Sequence, residues 1–290
     1  MRAIDSILKA HPTIEGAGVR LMRGFGYNEV PRLDPFLLLD DFRSKNPKDF
    51  IAGFPWHPHR GIETVTYLLE GEVEHGDSLG NKGRIRPGEL QWMTAGGGII
   101  HQEMPKGSEI KGFQLWVNLP SKNKMDGPKY RDIKAGKVPE IGGGGRIVRV
   151  VAGNIDGTIG PVKDLSTEVE YLDVTLKPHS EFVHRTGTEN KVFAYVVDGK
   201  GYFTPTKWTD AQNTVIFREG DNIKVTTKQD GVRFLLISGK PLKEKIAWHG
   251  PIVMNTRDEL VQAFREYEEG RFVKGKNVFK KESEDFYGKE

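Results

Sequence analysis

The sequence contains no cysteine. That absence excludes disulfides, thiolate metal ligands and cysteine nucleophiles, and it leaves the redox compartment unspecified. Charge of one sign is also lacking. With 43 basic and 40 acidic residues the formal net charge is +3, so no strong field selects a polyanion, and no dense Lys/Arg tract marks a nucleic-acid arm. The lysines near the end (Lys274, Lys276, Lys280 and Lys281) alternate with Glu282, Glu284 and Asp285 and read as a solvated tail. Long hydrophobic runs are missing too. The longest candidate, Leu90 to Ile100, is glycine-rich and short of the ~20 residues that span a bilayer. Met1 to Gly18 holds Asp5, Lys9 and His11 and no sustained apolar stretch, unlike a secretory signal. The expectation is a cytoplasmic protein, with no membrane and no direct nucleic-acid partner.

What is abundant is turn chemistry. The chain has 35 glycines and 16 prolines, set between short runs rich in Val, Ile, Thr, Tyr and Phe, the pattern of an all-β sandwich or barrel. Thr64–Leu69, Gly83–Arg86 and Leu90–Met93 are predicted strands; Glu70-Gly71, Leu79 to Gly83 and Pro87-Gly88 are predicted turns. The second half repeats this order. Val192–Val197 followed by Asp198-Gly199 matches Thr64–Leu69 followed by Glu70-Gly71, and Arg218-Glu219-Gly220-Asp221 matches Arg86-Pro87-Gly88-Glu89. Each half ends in an apolar strand, Phe113–Asn118 and Val232–Ser238. At 290 residues two domains are expected, residues 1–138 and 139–290, with Ile141 to Gly145 as a loop or linker. The fold class is therefore all-β, two tandem β-barrels, closed by a short C-terminal helix. Thr256 and Glu259 have capping-box spacing, and Leu260, Val261, Phe264 and Tyr267 form its apolar stripe before Gly270.

The strongest functional signal is a pair of short ligand-like motifs, His57-Pro58-His59 and His101-Gln102-Glu103. Residues i and i+2 of a strand point the same way, about 7 Å apart, so each motif can aim two donor atoms at one point. On facing strands they would place three neutral imidazoles and one carboxylate around one ion. Mixed nitrogen and oxygen ligation suits a divalent transition metal and leaves an octahedral ion about two open positions. Three consecutive glycines, Gly96 to Gly98, precede the second motif and permit the chain to re-aim. Strand parity puts Glu63 on the face of His57 and His59 and puts Arg60 on the other face, in a structural or rim role. Spacing alone leaves the choice between Glu63 and Glu103 as ligand open. His75 adjoins a turn and is expected at the surface. His11, His179, His184 and His249 are left out of the site. Trp56, Met93, Gln114 and Trp116 are placed to approach the cavity, with core packing as the plainer role.

These strings resemble the signature of the pirin family, in the cupin superfamily. The resemblance is carried by Gly53 to Tyr67 (GFPWHPHRGIETVTY), Asp77 to Gly83, Gln91 to Gly96, His101 to Pro105 and Leu115 to Leu119, with Leu33 to Leu38 early and His249 to Thr256 late. It implies two tandem cupin barrels (a bicupin), with one mononuclear metal in the N-terminal barrel and none in the C-terminal barrel. The metal is usually Fe(II), with other transition metals accepted. It assigns the ligands to His57, His59, His101 and Glu103, where the general cupin pattern would draw attention to Glu63. Some pirins resemble quercetin 2,3-dioxygenases, oxidoreductases that open a flavonol ring with O2 and release carbon monoxide. That implies a flavonol-like substrate, with Glu103 as proton acceptor. Eukaryotic pirins act instead as nuclear cofactors of transcription regulators. The alternative expectation is therefore a redox-responsive iron-binding module with a regulatory protein partner.

Overall fold

Strands dominate because β-branched and aromatic residues alternate along nearly every segment between turns. The structure, a computed structural model, describes residues 1–29 and 33–274. The charged tail beyond Lys274 lies outside the described residues. The one α-helix among them, Arg257–Glu268, comes near the end of the chain. No helix among them is long and apolar enough to cross a membrane.

The described residues fall into two units, each discontinuous in sequence, where a single cut after residue 138 was expected. One comprises residues from Met1–His11, Met22–Leu39 and Gly136–Leu242; the other comprises Pro12–Leu21, Asp40–Ala135 and the residues from Lys243. The first is built on an antiparallel sheet in the order Ile4–Lys9, Asn213–Phe217, Lys191–Tyr202, Val232–Gly239, Val169–Leu176, Arg146–Ala152, Glu140–Gly143. Its core holds Leu172, Phe182, Val196, Phe234 and Leu236, and Ile4 and Ile7 of the first strand pack against it. That explains why the N-terminus belongs here: Ile4 and Ile7 are partly buried by packing against this core. Ile141 to Gly145 is not a linker. Glu140–Gly143 and Arg146–Ala152 pair as a hairpin, with Gly144 and Gly145 at its tip.

In the second unit the long strands Ile62–Asp77 and Ile99–Asn118 pair antiparallel. Leu90–Thr94 lies beside the former and Lys129–Ile133 beyond it. The expected turn at Glu70-Gly71 is a bulge inside one long strand: the register shifts at Leu68/Glu70 and Glu70/Glu72, and Gly71 has φ +84°. Its counterpart Asp198-Gly199 also sits at a register shift, with φ +71° at Gly199. A glycine tolerates this left-handed conformation where other residues are strained. The repeat seen in the sequence is thus a repeat of bulged antiparallel strand pairs. The helix starts at its capping box, with the Glu259 N–H donating to Thr256 Oγ1 at 3.2 Å and the Thr256 N–H donating to Glu259 Oε2 at 2.9 Å. Leu260, Phe264 and Tyr267 pack on a cluster containing Ile100, Ile252 and Phe272. Val261 lies 53% exposed, one residue and about 100° off that stripe.

Candidate metal centre

Strand Phe54–His59 pairs antiparallel with the start of Ile99–Asn118. His57 lies opposite His101, Pro58 opposite Ile100 and His59 opposite Ile99. The two motifs therefore face each other as the spacing requires. Their aim depends on a register shift between Phe54 and His57, a bulge at Pro55-Trp56 that turns this short strand. Gly96 to Gly98 form a buried turn before the second motif, tied down by the Gly97 N–H donating to the Asp126 carbonyl at 2.8 Å.

The ring nitrogens of His57, His59 and His101 offer three donor atoms, all within 4.8 Å of one another. His59 and His101 are buried and His57 is half-buried. Two of the rings are anchored from behind. His57 Nδ1 lies 2.8 Å from the Pro55 carbonyl and His59 Nδ1 lies 3.1 Å from the Pro251 carbonyl. A carbonyl only accepts, so in each ring Nδ1 carries the hydrogen and Nε2 is left as a lone pair. Those two Nε2 atoms stand 3.0 Å apart, and the buried Nε2 of His101 has no hydrogen-bond partner. Burial pushes all three imidazoles toward the neutral form, with His59 and His101 well below the ordinary histidine value, and these two are pushed further by neighbouring histidines. Converging lone pairs, no proton to share and backbone anchors on the far nitrogens fit a divalent transition metal.

Glu103 follows His101 on the same strand and is buried. Its carboxylate is not part of the 4.8 Å donor group. Thr66 Oγ1 lies 2.6 Å from Glu103 Oε1 and 2.7 Å from Gln114 Oε1. Burial raises the Glu103 pKa to about 7, against the lowering effect of the Thr66 hydrogen bond. Glu63 is placed elsewhere. Trp92 Nε1 donates to its Oε2 at 2.9 Å and Thr94 Oγ1 to its Oε1 at 2.7 Å. Parity misplaced it because the strand does not run through. Gly61, with φ +78°, breaks the chain between Phe54–His59 and Ile62–Asp77, so the alternation of one segment does not carry into the other. Arg60 is structural, as the sequence implied. It is buried, donates to Glu266 at 2.8 Å and to the Phe272 carbonyl at 2.9 Å, and stacks over the Phe272 ring.

The other polar residues sort differently. His75, expected at the surface, is buried and meets the Tyr130 hydroxyl at 2.7 Å. His184 is buried beside Glu170 at 2.8 Å, in the other unit. Trp116 stands edge-on to His59 with ring centroids 5.0 Å apart, and Trp248 lies 6.0 Å beyond it. Trp56 packs instead on the cluster around Ile100. Thr66, Trp248 and the Pro251 carbonyl had no signal in motif spacing. A backbone carbonyl carries no residue type at all.

Two all-β units, one bearing three converging histidines on facing strands, define a bicupin with a metal-capable centre. The Pirin family profile matches residues 18–117 and the Pirin C-terminal cupin domain profile matches residues 171–273; the chain belongs to the pirin family. It is 42% identical to a pirin-like protein of Caulobacter vibrioides over 276 residues, covering 94% of this chain and 99% of the relative. It is 42% identical to the pirin of Homo sapiens over 265 residues, covering 87% and 88%. A crystal structure of quercetin 2,3-dioxygenase from Acinetobacter baumannii superposes with a TM-score of 0.87 at 32% identity, covering 94% of this chain and 98% of that one.

Proposed function

We propose that this protein is a dioxygenase that opens the central ring of a flavonol with O2, using one divalent metal, Fe(II) first among candidates. The ligands are His57, His59 and His101, joined by Glu103. The observation that carries the reading is the convergence of three neutral imidazoles, two of them with their back nitrogens already committed to backbone carbonyls. Likeness to the Acinetobacter baumannii enzyme supports the substrate class. Bound metal supplies Lewis-acid and redox chemistry to the substrate oxygen. The chain's own residues do the rest. Glu103, with its pKa near 7, accepts the flavonol 3-hydroxyl proton. Thr66 holds that carboxyl in place, and Gln114 meets the Thr66 hydroxyl. Trp116 and Trp248 offer flat apolar faces to a planar substrate beside His59. Both atoms of O2 enter the opened ester product and one ring carbon leaves as carbon monoxide.

The test is aerobic turnover of quercetin by iron-loaded protein, following flavonol absorbance and carbon monoxide, with His59→Ala and metal-free protein as controls. Metal-dependent loss of the flavonol with carbon monoxide release is expected. Undiminished turnover without metal refutes the mechanism. No turnover with metal bound moves the reading to a redox-responsive binding module, to be pursued through partner affinity in the oxidised and reduced protein.

A further inference from the structure

We infer that the C-terminal segment from Pro251 to Phe272 is a working part of the histidine centre, and that Lys124 is the positioning residue that locks it to the ligand strand. The inference rests on the reading of His57, His59 and His101 as metal ligands.

The contacts fall in one short stretch of chain. From the last histidine of the His57-Pro58-His59 motif onward, each of the next residues is held by the C-terminal segment. His59 Nδ1 meets the Pro251 carbonyl at 3.1 Å. Arg60 pairs with Ile252 as a parallel bridge, and its carbonyl accepts the Val253 N–H at 3.0 Å. Gly61 lies so close to the Val253 carbonyl that a Cβ there would run into it. The Arg60 side chain then reaches Glu266 and the Phe272 carbonyl.

Lys124 closes the junction. Its buried Nζ donates to the Gly61 carbonyl at 2.9 Å, the Val253 carbonyl at 3.0 Å and Asn118 Oδ1 at 2.7 Å. Three carbonyl-type acceptors need three N–H donors, which only the ammonium form supplies. Burial lowers its pKa to about 7, with Glu244 and Glu259 opposing. One ammonium therefore ties the residue after the ligand motif to the strand whose neighbouring carbonyl sets the tautomer of His59. A displaced Pro251 carbonyl frees the ring to turn or to take its hydrogen on Nε2, and either change removes a donor from the centre.

The experiment uses the full chain, with Co(II) as probe because its visible bands report ligand number and geometry. Lys124→Met keeps the apolar stem of the side chain and removes the three donors. Glu266→Gln keeps shape at the far end of the clamp and serves where Lys124→Met does not fold in the metal-free state. Leu236→Ala, a core truncation in the other unit, controls for general destabilisation. Both clamp variants are expected to bind Co(II) more weakly by chelator competition, about 10–100-fold for Lys124→Met, with altered visible bands. Leu236→Ala is expected to keep the wild-type spectrum and affinity. A folded clamp variant with wild-type affinity and bands overturns the inference while leaving the histidine centre standing. Failure of the wild-type protein to bind Co(II) or Fe(II) through its histidines removes the centre itself, and the inference with it.

Discussion

Two buried carboxylates lie within reach of the candidate ligands in sequence, and their partners predict opposite consequences of the same substitution. Glu63 spends both oxygens on neutral donors, Trp92 at 2.9 Å and Thr94 at 2.7 Å. In Glu63→Gln the amide oxygen can keep Trp92, while the amide N–H can donate to Thr94 only if that hydroxyl turns away. About one buried hydrogen bond is lost, roughly 1–3 kcal/mol. The change falls on stability, with turnover per folded, metal-loaded molecule within about threefold of wild type. Glu103 differs: its carboxyl meets Thr66 at 2.6 Å, and a glutamine can keep that bond. Glu103→Gln should therefore fold normally with a midpoint in urea close to wild type. It loses the proton acceptor, a contribution of about 10²–10⁴ in rate, or roughly 2.7–5.4 kcal/mol of barrier. The assay is quercetin loss and carbon monoxide release at matched metal content, alongside urea denaturation of both variants. Wild-type turnover in Glu103→Gln, or a collapse of turnover in folded, metal-loaded Glu63→Gln, would refute the assignment.

Other consequences can be checked independently. His101→Ala removes the ligand nitrogen that has no other partner and should abolish stoichiometric metal binding, by metal analysis after dialysis, while far-ultraviolet circular dichroism stays unchanged. Trp248→Ala should raise the KM for a planar flavonol about 3–30-fold with kcat little changed, whereas Trp248→Phe should restore most of the loss; an unaltered KM removes Trp248 from the binding face. The Glu266 pKa is held at about 2, below its ordinary 4.5: burial opposes this, and Lys274, Gln262 and Arg60 outweigh it by hydrogen bonding and charge. Since the folded value is depressed, the stabilisation is present above pH ~4.5 and lost as pH falls through ~2, about 2–3 kcal/mol in all. The stability gap between wild type and Glu266→Gln in urea should be full at pH 6 and fall by more than half at pH 3; a gap constant across that range would dismiss the coupling.

How much of this was legible in sequence depends on the range over which each signal acts. The capping box at Thr256, the His-x-His and His-x-Glu pairs and the repeated Gly71 and Gly199 positions are local. Each is decided by residues a few places apart, and each recurs in the structure as helix start, facing histidines or bulge. Val261 shows the precision required, since a stripe misread by one residue leaves an apolar side chain in solvent. His75 failed for a different reason. Its neighbours suggest a turn, but Ile62–Asp77 runs on as one strand because its partner strand Ile99–Asn118 is longer still and pairs along it to Asp77, and pairing outweighs local turn propensity.

The misplacement of Glu63 carries the more general lesson. Parity is a rule about an unbroken strand, and Gly61 breaks this one. The same glycine lets the Val253 backbone come close, and that approach brings the Pro251 carbonyl to His59. One residue thus removes a carboxylate from the centre and admits a backbone acceptor in its place. The carboxylate was visible as a letter in the sequence and the carbonyl was not. The converging histidines of such a centre can be read from spacing. What holds them in the right tautomer is supplied by chain some 190 residues away, and only the folded register reveals it.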